Sequence, residues 1–147
     1  MNEPVTVQVK LLRDGAKMPF RATEWATGYD LYACIDDGGE VDVGQHPVVI
    51  GTGVAMAVPP GWDAQVRPRS GLARNGVLTT YGTLDADYRG ELLVTMYTVA
   101  PDIRHTVRHG DRIAQIVIAR LANTVLVEAA ELDETGRGAG GHGSTGR

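Results

Sequence analysis

Cysteine is nearly missing from this chain of 147 residues: Cys34 stands alone. A single thiol excludes an internal disulfide and points to a reducing cytoplasm. It lies in the apolar stretch "DLYACI", the setting of a buried small residue rather than a nucleophile. Long hydrophobic runs are missing too. None approaches membrane-spanning length, and the start, "MNEPVTVQVK", has neither the cationic nor the apolar region of a signal peptide. No zinc-ligand spacing, Walker loop or dinucleotide fingerprint occurs, and there is no internal repeat or interdomain linker. Trp25, Trp62, His46, His105 and His109 lack metal-ligand spacing and read as surface or core edge. Lysine is scarce: Lys10 and Lys17 stand against twelve arginines, at a net charge of −4. The acidic balance argues against a general nucleic-acid or membrane-surface binder. A GC-rich coding bias would produce the arginine excess; arginine is also the side chain suited to multidentate phosphate contacts. A few placed arginines on an acidic protein fit a small polyanion better than a long one.

Sustained 3.6-residue apolar periodicity is also absent, and short strand-like segments fill the chain instead. "VTVQVKL" alternates cleanly, with Val5, Val7, Val9 and Leu11 on one face. "DLYACI", "PVVIGTGVAMAV", "DAQVRP", "ELLVTMYTV", "RIAQIVIARL" and "VLVEAAEL" follow, separated by turn clusters such as "DDGG" and "VPPG". Many short strands between turns predict an all-β sandwich or barrel, with an apolar content of 43% sufficient for one core. The one helix expected is short, "SGLARNG", with Ser70 as N-cap and Asn75-Gly76 as terminator. The expected organisation is one domain over 1–135 and a glycine-rich arm over 136–147.

Four internal segments could carry chemistry, and each has an ordinary structural explanation beside it. "RPRSGLARNG" puts Arg69 and Ser70 at a helix start, where free N–H groups seat phosphate, or where a solvated arginine precedes a capped helix. "GTLDADYRGEL" sets Asp85, Asp87, Tyr88 and Arg89 between glycines. Alternation in an extended segment would send the two acids to one side and Tyr88 to the other. The group could be a water-activating carboxylate beside a stacking platform, or an acidic hairpin turn. "ATGYDLYA" places Asp30 at a strand head, as a turn cap or near a metal. "GDRIAQIVI" puts Asp111 and Arg112 in a turn and Gln115 among aliphatics, where its amide needs partners. The tail, "RGAGGHGSTGR", has too little apolar area to order itself. It is either a frayed terminus or a flap whose arginine, hydroxyls and turned N–H groups order around an anion.

In this order and spacing, "ATGYDLYA", "RPRSGLA", "GTLDADYRGEL", "GDRIAQIVI" and "RGAGGHGSTG" resemble the five motifs of trimeric dUTP diphosphatases (dUTPases), from about Pro19 to Arg147. The resemblance implies a jelly-roll or β-clip type all-β domain with one short helix and a flexible C-terminal arm. It further implies a homotrimer with active sites at subunit interfaces, and Mg²⁺-dependent hydrolysis of dUTP to dUMP and diphosphate. That activity keeps uracil out of DNA and supplies dUMP for dTMP synthesis; no nucleic acid or membrane is a partner. By the same resemblance Asp85 is the general base holding the water that attacks the α-phosphorus. Tyr88 packs under the deoxyribose, and Arg69, Ser70, Gly71 and Gln115 contact phosphates. Asp30 stands near the metal's water shell. Backbone of "TTYGTL", with Thr79, Gly82 and Thr83, reads uracil as a hairpin. Arg137, His142, Gly143, Ser144 and Thr145 belong to the arm that closes over the nucleotide. Two positions depart from the family pattern. His142 stands where a phenylalanine usually stacks on uracil, and a flat imidazole can do the same. Thr79 stands near a frequent asparagine and lacks an amide's paired donor and acceptor.

Two rival functions share the scaffold. A dCTP deaminase uses a glutamate at the position of Thr95 here, and lacks the "DYRG" pattern. A nucleotide-binding regulatory protein would need no turnover, yet the catalytic positions are intact.

Overall fold

The structure is a computed structural model and describes residues 3–146; Arg147, counted above in the arm, lies outside the described residues. Among the described residues the chain forms eleven strands and one α-helix, joined by turns and loops. The strands are β1 (Gln8–Leu11), β2 (Gly28–Tyr32), β3 (Glu40–Val43), β4 (Val48–Gly51), β5 (Val54–Ala57) and β6 (Trp62–Arg67). After helix α1 (Ser70–Arg74) come β7 (Val77–Thr79), β8 (Gly82–Leu84), β9 (Leu93–Thr98), β10 (His105–Arg108) and β11 (Arg112–Arg120). They form four antiparallel groups, ordered β1-β5, β10-β3, β2-β11-β6-β8 and β4-β9-β7. Neighbours in space are mostly distant in sequence, which is the jelly-roll character of the fold.

One core joins the groups. Leu31, Val43, Met96, Val107, Ile113 and Ile116 are fully buried in it. The alternation in "VTVQVKL" holds for Val5, Val7 and Val9, which are half-buried between exposed neighbours, and fails at Leu11, which is exposed. Cys34 is buried, its thiol directed at the Asp14 carbonyl. Among the described residues no helix is long and apolar enough to cross a membrane.

Several local expectations differ from what the chain adopts. "PVVIGTGVAMAV" is two strands, β4 and β5, broken where Gly53 takes φ +68. Strands β3, β7, β8 and β10 are too short for their patterns to stand out in the sequence. The helix starts as expected, but Arg69 is its N-cap, in extended conformation and without a side-chain cap bond; Ser70 is its first residue. Asn75 closes it and Gly76 follows at φ +78. Lastly, "VLVEAAEL" forms no strand. Beyond β11 the chain runs out exposed, with Val125, Leu126, Val127 and Leu132 at 84%, 97%, 82% and 86%. Its β-forming side chains have nothing within the chain to pair with, so propensity alone does not make a strand there.

Candidate functional site

The first cluster lies on the outer face of the four-stranded sheet. Register sets Asp30 opposite Gln115, and Gln115 opposite Arg67. Directly opposed residues share a face; their neighbours Leu31, Ala114 and Val66 turn into the core. Asp30 therefore sits within β2 rather than capping a turn, which a strand beginning at Gly28 dictates. Its carboxylate is 15% exposed and holds two guanidiniums, Arg69 Nε at 3.2 Å and Arg112 Nη1 at 3.6 Å. A second Arg69 nitrogen donates to the Arg112 carbonyl at 3.3 Å. The Gln115 amide donates to the Pro68 carbonyl at 2.9 Å, so its need for a partner is met by the turn that leads into α1. Arg69, Ser70, Thr79, Tyr81 and Gln115 border a cavity of about 640 Å³. Gly71 is exposed in the first turn of the helix beside it. One acid shared by two arginines leaves this face positive and suited to an anion.

The second cluster lies where β8 runs into the next turn. Gly82 pairs with Val66, Thr83 with Gln65 and Leu84 with Ala64. Strand β8 is the last in its sheet, so its other edge carries N–H and C=O groups unpaired by any strand. Beside β8 is a cavity of about 230 Å³ bordered by Thr83, Asp85, Tyr88, Glu91 and Leu92. Segment 79–84 is not a hairpin. Thr79 belongs to β7, which pairs with β9, and the chain crosses to another sheet before β8. The Thr79 hydroxyl is buried and donates to the Ile113 carbonyl at 2.9 Å, which leaves only its backbone to meet a ligand. Residues 85–88 are a turn, closed by the Tyr88 N–H on the Asp85 carbonyl at 3.0 Å, so strand alternation does not apply. Asp85 and Tyr88 face one cavity instead of opposite sides.

That turn is fixed by bonds the sequence did not announce. The Tyr88 hydroxyl donates to the Glu91 carbonyl at 2.9 Å, and Arg89 donates to the carbonyls of Ala86 and Tyr88 at 2.6 and 3.0 Å. A Cβ on Gly90 would collide with the Tyr88 hydroxyl and ring, so glycine lets the ring lie where it does. The Glu91 carboxylate is paired with Arg13, 78 positions earlier. The hydrogen bond to Glu91 holds the Arg13 guanidinium above its usual range, with burial working partly against it. No local pattern could have joined those two residues.

The arm is different. Arg137 Nε donates to the Gly140 carbonyl at 2.7 Å, and Ser144 and Gly146 donate backward across three residues at 2.7 and 3.0 Å. Gly138, Gly143 and Gly146 take positive φ. Arg137, His142, Ser144 and Thr145 are exposed. The structure thus gathers Asp30, Arg69, Ser70 and Gln115 in one place and Gly82, Thr83, Asp85 and Tyr88 in another, and leaves the arm apart from both. From Gln115 to Asp85 the strand register spans on the order of 15 Å. Among the described residues no three His, Cys, Asp or Glu side chains converge as metal ligands. Trp25 is exposed, Trp62 stacks under Arg120, and His109 accepts the Ile35 N–H; none of the three joins a site.

The dUTPase family model matches residues 14–146. A deoxyuridine 5'-triphosphate nucleotidohydrolase of Syntrophotalea carbinolica is 48% identical over 97% of this chain and 97% of its own. Among solved structures, a Staphylococcus bacteriophage 80alpha dUTPase mutant with dUpNHpp is similar at TM-score 0.81 and 27% identity, over 97% of this chain and 99% of that one. A dUTPase mutant from phage phi11 of S. aureus, described with a coordinated structural Mg(II) ion, is similar at TM-score 0.77 and 26% identity, over 86% and 98%. Sequence and fold agree along almost the full length, and the chain belongs to the dUTPase family, a family of hydrolases.

Proposed function

We propose that the chain hydrolyses dUTP to dUMP and diphosphate by water attack on the α-phosphorus, with Asp85 as general base. The observation that carries this reading is that an edge strand, β8, and the Asp85 carboxylate border one cavity. Uracil offers alternating acceptor and donor groups along one side, and the free N–H and C=O groups of β8 are complementary to it. Tyr88, with its hydroxyl anchored on Glu91, supports the deoxyribose and leaves no room for a 2′-hydroxyl. Asp85 is then within reach of a water beside the first phosphate, which is the geometric requirement for a general base. Arg69, Ser70, Gly71 and Gln115 hold phosphate oxygens, and positioning with charge stabilisation supplies most of the acceleration.

Magnesium fits this site as an ion carried by the nucleotide. The residues offer one carboxylate, Asp30, already shared by two arginines, and no protein cage. Mg²⁺ keeps several waters and binds through one or two carboxylates and substrate phosphates; Asp30 would hold such a water. Bound there, the ion supplies charge neutralisation and fixes the triphosphate geometry.

The complete site is inferred to lie between copies in a homotrimer. The two clusters open as separate cavities with no residue in common. The exposed Val125, Leu126, Val127 and Leu132 are side chains a single chain leaves in water and a second copy would cover. The arm, with Arg137, His142, Gly143, Ser144 and Thr145, then closes on nucleotide held by neighbouring chains, and His142 stacks on uracil. In a cytoplasmic setting the reaction removes dUTP before polymerases use it and provides dUMP for thymidylate synthesis.

Diphosphate release from each dNTP and from UTP, with Mg²⁺, tests reaction, base and sugar together. Selective cleavage of dUTP is expected. Ammonia from dCTP, or binding of dUTP without turnover, would replace this reading by one of its two rivals.

A further inference from the structure

Strand β2 begins with a glycine whose backbone does not call for one. The φ of Gly28 lies outside the left-handed region, and within a strand alanine would be the better residue. What the position supplies is room. Register puts Gly28 opposite Val117 and Asp30 opposite Gln115, so Gly28 and Gln115 are diagonal neighbours on the outer face of the sheet. A Cβ on Gly28 would collide with Gln115 Oε1 and come within 3.0 Å of its Cδ and 3.1 Å of its Cβ. The amide oxygen therefore lies where a side chain at position 28 would start. The amide nitrogen of the same group donates to the Pro68 carbonyl at 2.9 Å. Pro68 and Gln115 both border the cavity of Arg69 and Ser70, whereas Gly28 does not. The amide is thus turned with its oxygen to β2 and its nitrogen to the cavity, and that nitrogen carries a second hydrogen beyond the one given to Pro68. Orientation matters to an anion: an N–H is attracted by phosphate oxygens, and a C=O aimed at them is repelled.

We propose that Gly28 is a positioning residue for the nucleotide: by leaving space for the Gln115 carbonyl oxygen, it turns the amide N–H groups to the triphosphate. The proposal deepens the reading of the Arg69–Gln115 cavity as the phosphate seat and rests on it. If Gly28 served the strand alone, a methyl there would act through folding, independently of Gln115. If it seats the amide, the methyl must act through Gln115, and removing that side chain must remove the effect.

The test compares Gly28→Ala, Gln115→Ala and the double variant in steady-state dUTP hydrolysis, with melting temperatures in parallel. Gly28→Ala is expected to raise KM about tenfold, the size of one lost hydrogen bond to a charged group, with a much smaller change in kcat. Gln115→Ala should show a rise of similar size. The double variant should stay within about twofold of Gln115→Ala and melt above Gly28→Ala, since the new methyl then has no amide to displace. A parent-like KM in Gly28→Ala overturns the proposal, as does a double variant whose rise is the product of the two single ones. A KM for Gly28→Ala far above that of Gln115→Ala also overturns it, because the methyl would then be moving β2 and Asp30. Should Gly28→Ala fail to fold, the double variant decides: a folded double with the KM of Gln115→Ala supports the proposal, and one that also fails to fold refutes it. The two readings fail separately. A parent-like KM in Gln115→Ala strikes the phosphate seat itself, whereas an impaired Gln115→Ala beside an unaffected Gly28→Ala strikes Gly28 alone.

Discussion

Two glycine-bounded segments, 82–90 and 136–146, have similar composition and opposite anchoring. The first begins as β8 against β6. It then turns, with Tyr88 bonded to Glu91 and Arg89 to two carbonyls, and Glu91 next to it is paired with a residue from the other end of the chain. Within the described residues the second makes hydrogen bonds only to itself and to Thr135 just before it, across three positions at a time. Glycine serves different purposes in them. Gly90 admits a tyrosine ring that any Cβ would displace, whereas Gly136 and Gly141 have nothing within 4 Å. Under the proposed function the first must hold a base where the water will stand, and the second must be able to leave. The same residue type provides both, and tertiary contact decides which.

The contrast can be broken from either side. The largest effect is expected from Asp85→Asn, which keeps the turn's shape and removes the base. Turnover should fall by roughly 10²–10⁴-fold while affinity for a non-hydrolysable dUTP analogue, read by calorimetry, stays within a few-fold. Next comes deletion of 136–147. Diphosphate release should drop about 100-fold with an unchanged melting temperature, because the segment contributes nothing to the core; a lower melting temperature would mean that the arm is part of the fold. Gly90→Ala attacks the held segment. The new methyl displaces the Tyr88 ring, so KM should rise by about tenfold and discrimination against UTP should weaken, in competition assays of the two nucleotides. The smallest effect belongs to Gly141→Ala, where the Cβ meets open space: stability should stay within about 0.5 kcal/mol by thermal unfolding, with at most a modest change in kcat.

Much of the strand content was legible because it rests on alternation and turn residues, which are local. Val5, Val7 and Val9 face inward as their period required, and Asn75-Gly76 ends the helix where it should. What misled was also local. "VLVEAAEL" has strand composition and no partner within the chain, and 85–88 looks extended until the Asp85 carbonyl is seen to close it into a turn. The family resemblance implies Thr79 as a base contact in a hairpin; the structure engages its hydroxyl at Ile113 and ends its strand in a different sheet from Gly82. The motif places Asp30 without any sign that two arginines converge on it, because Arg69, the N-cap of α1, and Arg112, the start of β11, lie 39 and 82 positions away in the chain.

By itself the sequence determined the chemistry available. Its five motifs supply a carboxylate, an aromatic, hydrogen-bond donors of the kind that bind anions and a glycine-rich arm in a chain without disulfide, zinc motif or long helical period. Only the tertiary structure decided that β8 is an edge strand, that Asp85 and Tyr88 share a cavity, and that Arg13 answers Glu91. The reason is physical: propensity and period act over a few residues, whereas sheet order and ion pairing depend on which distant segments the burial of a common core brings together.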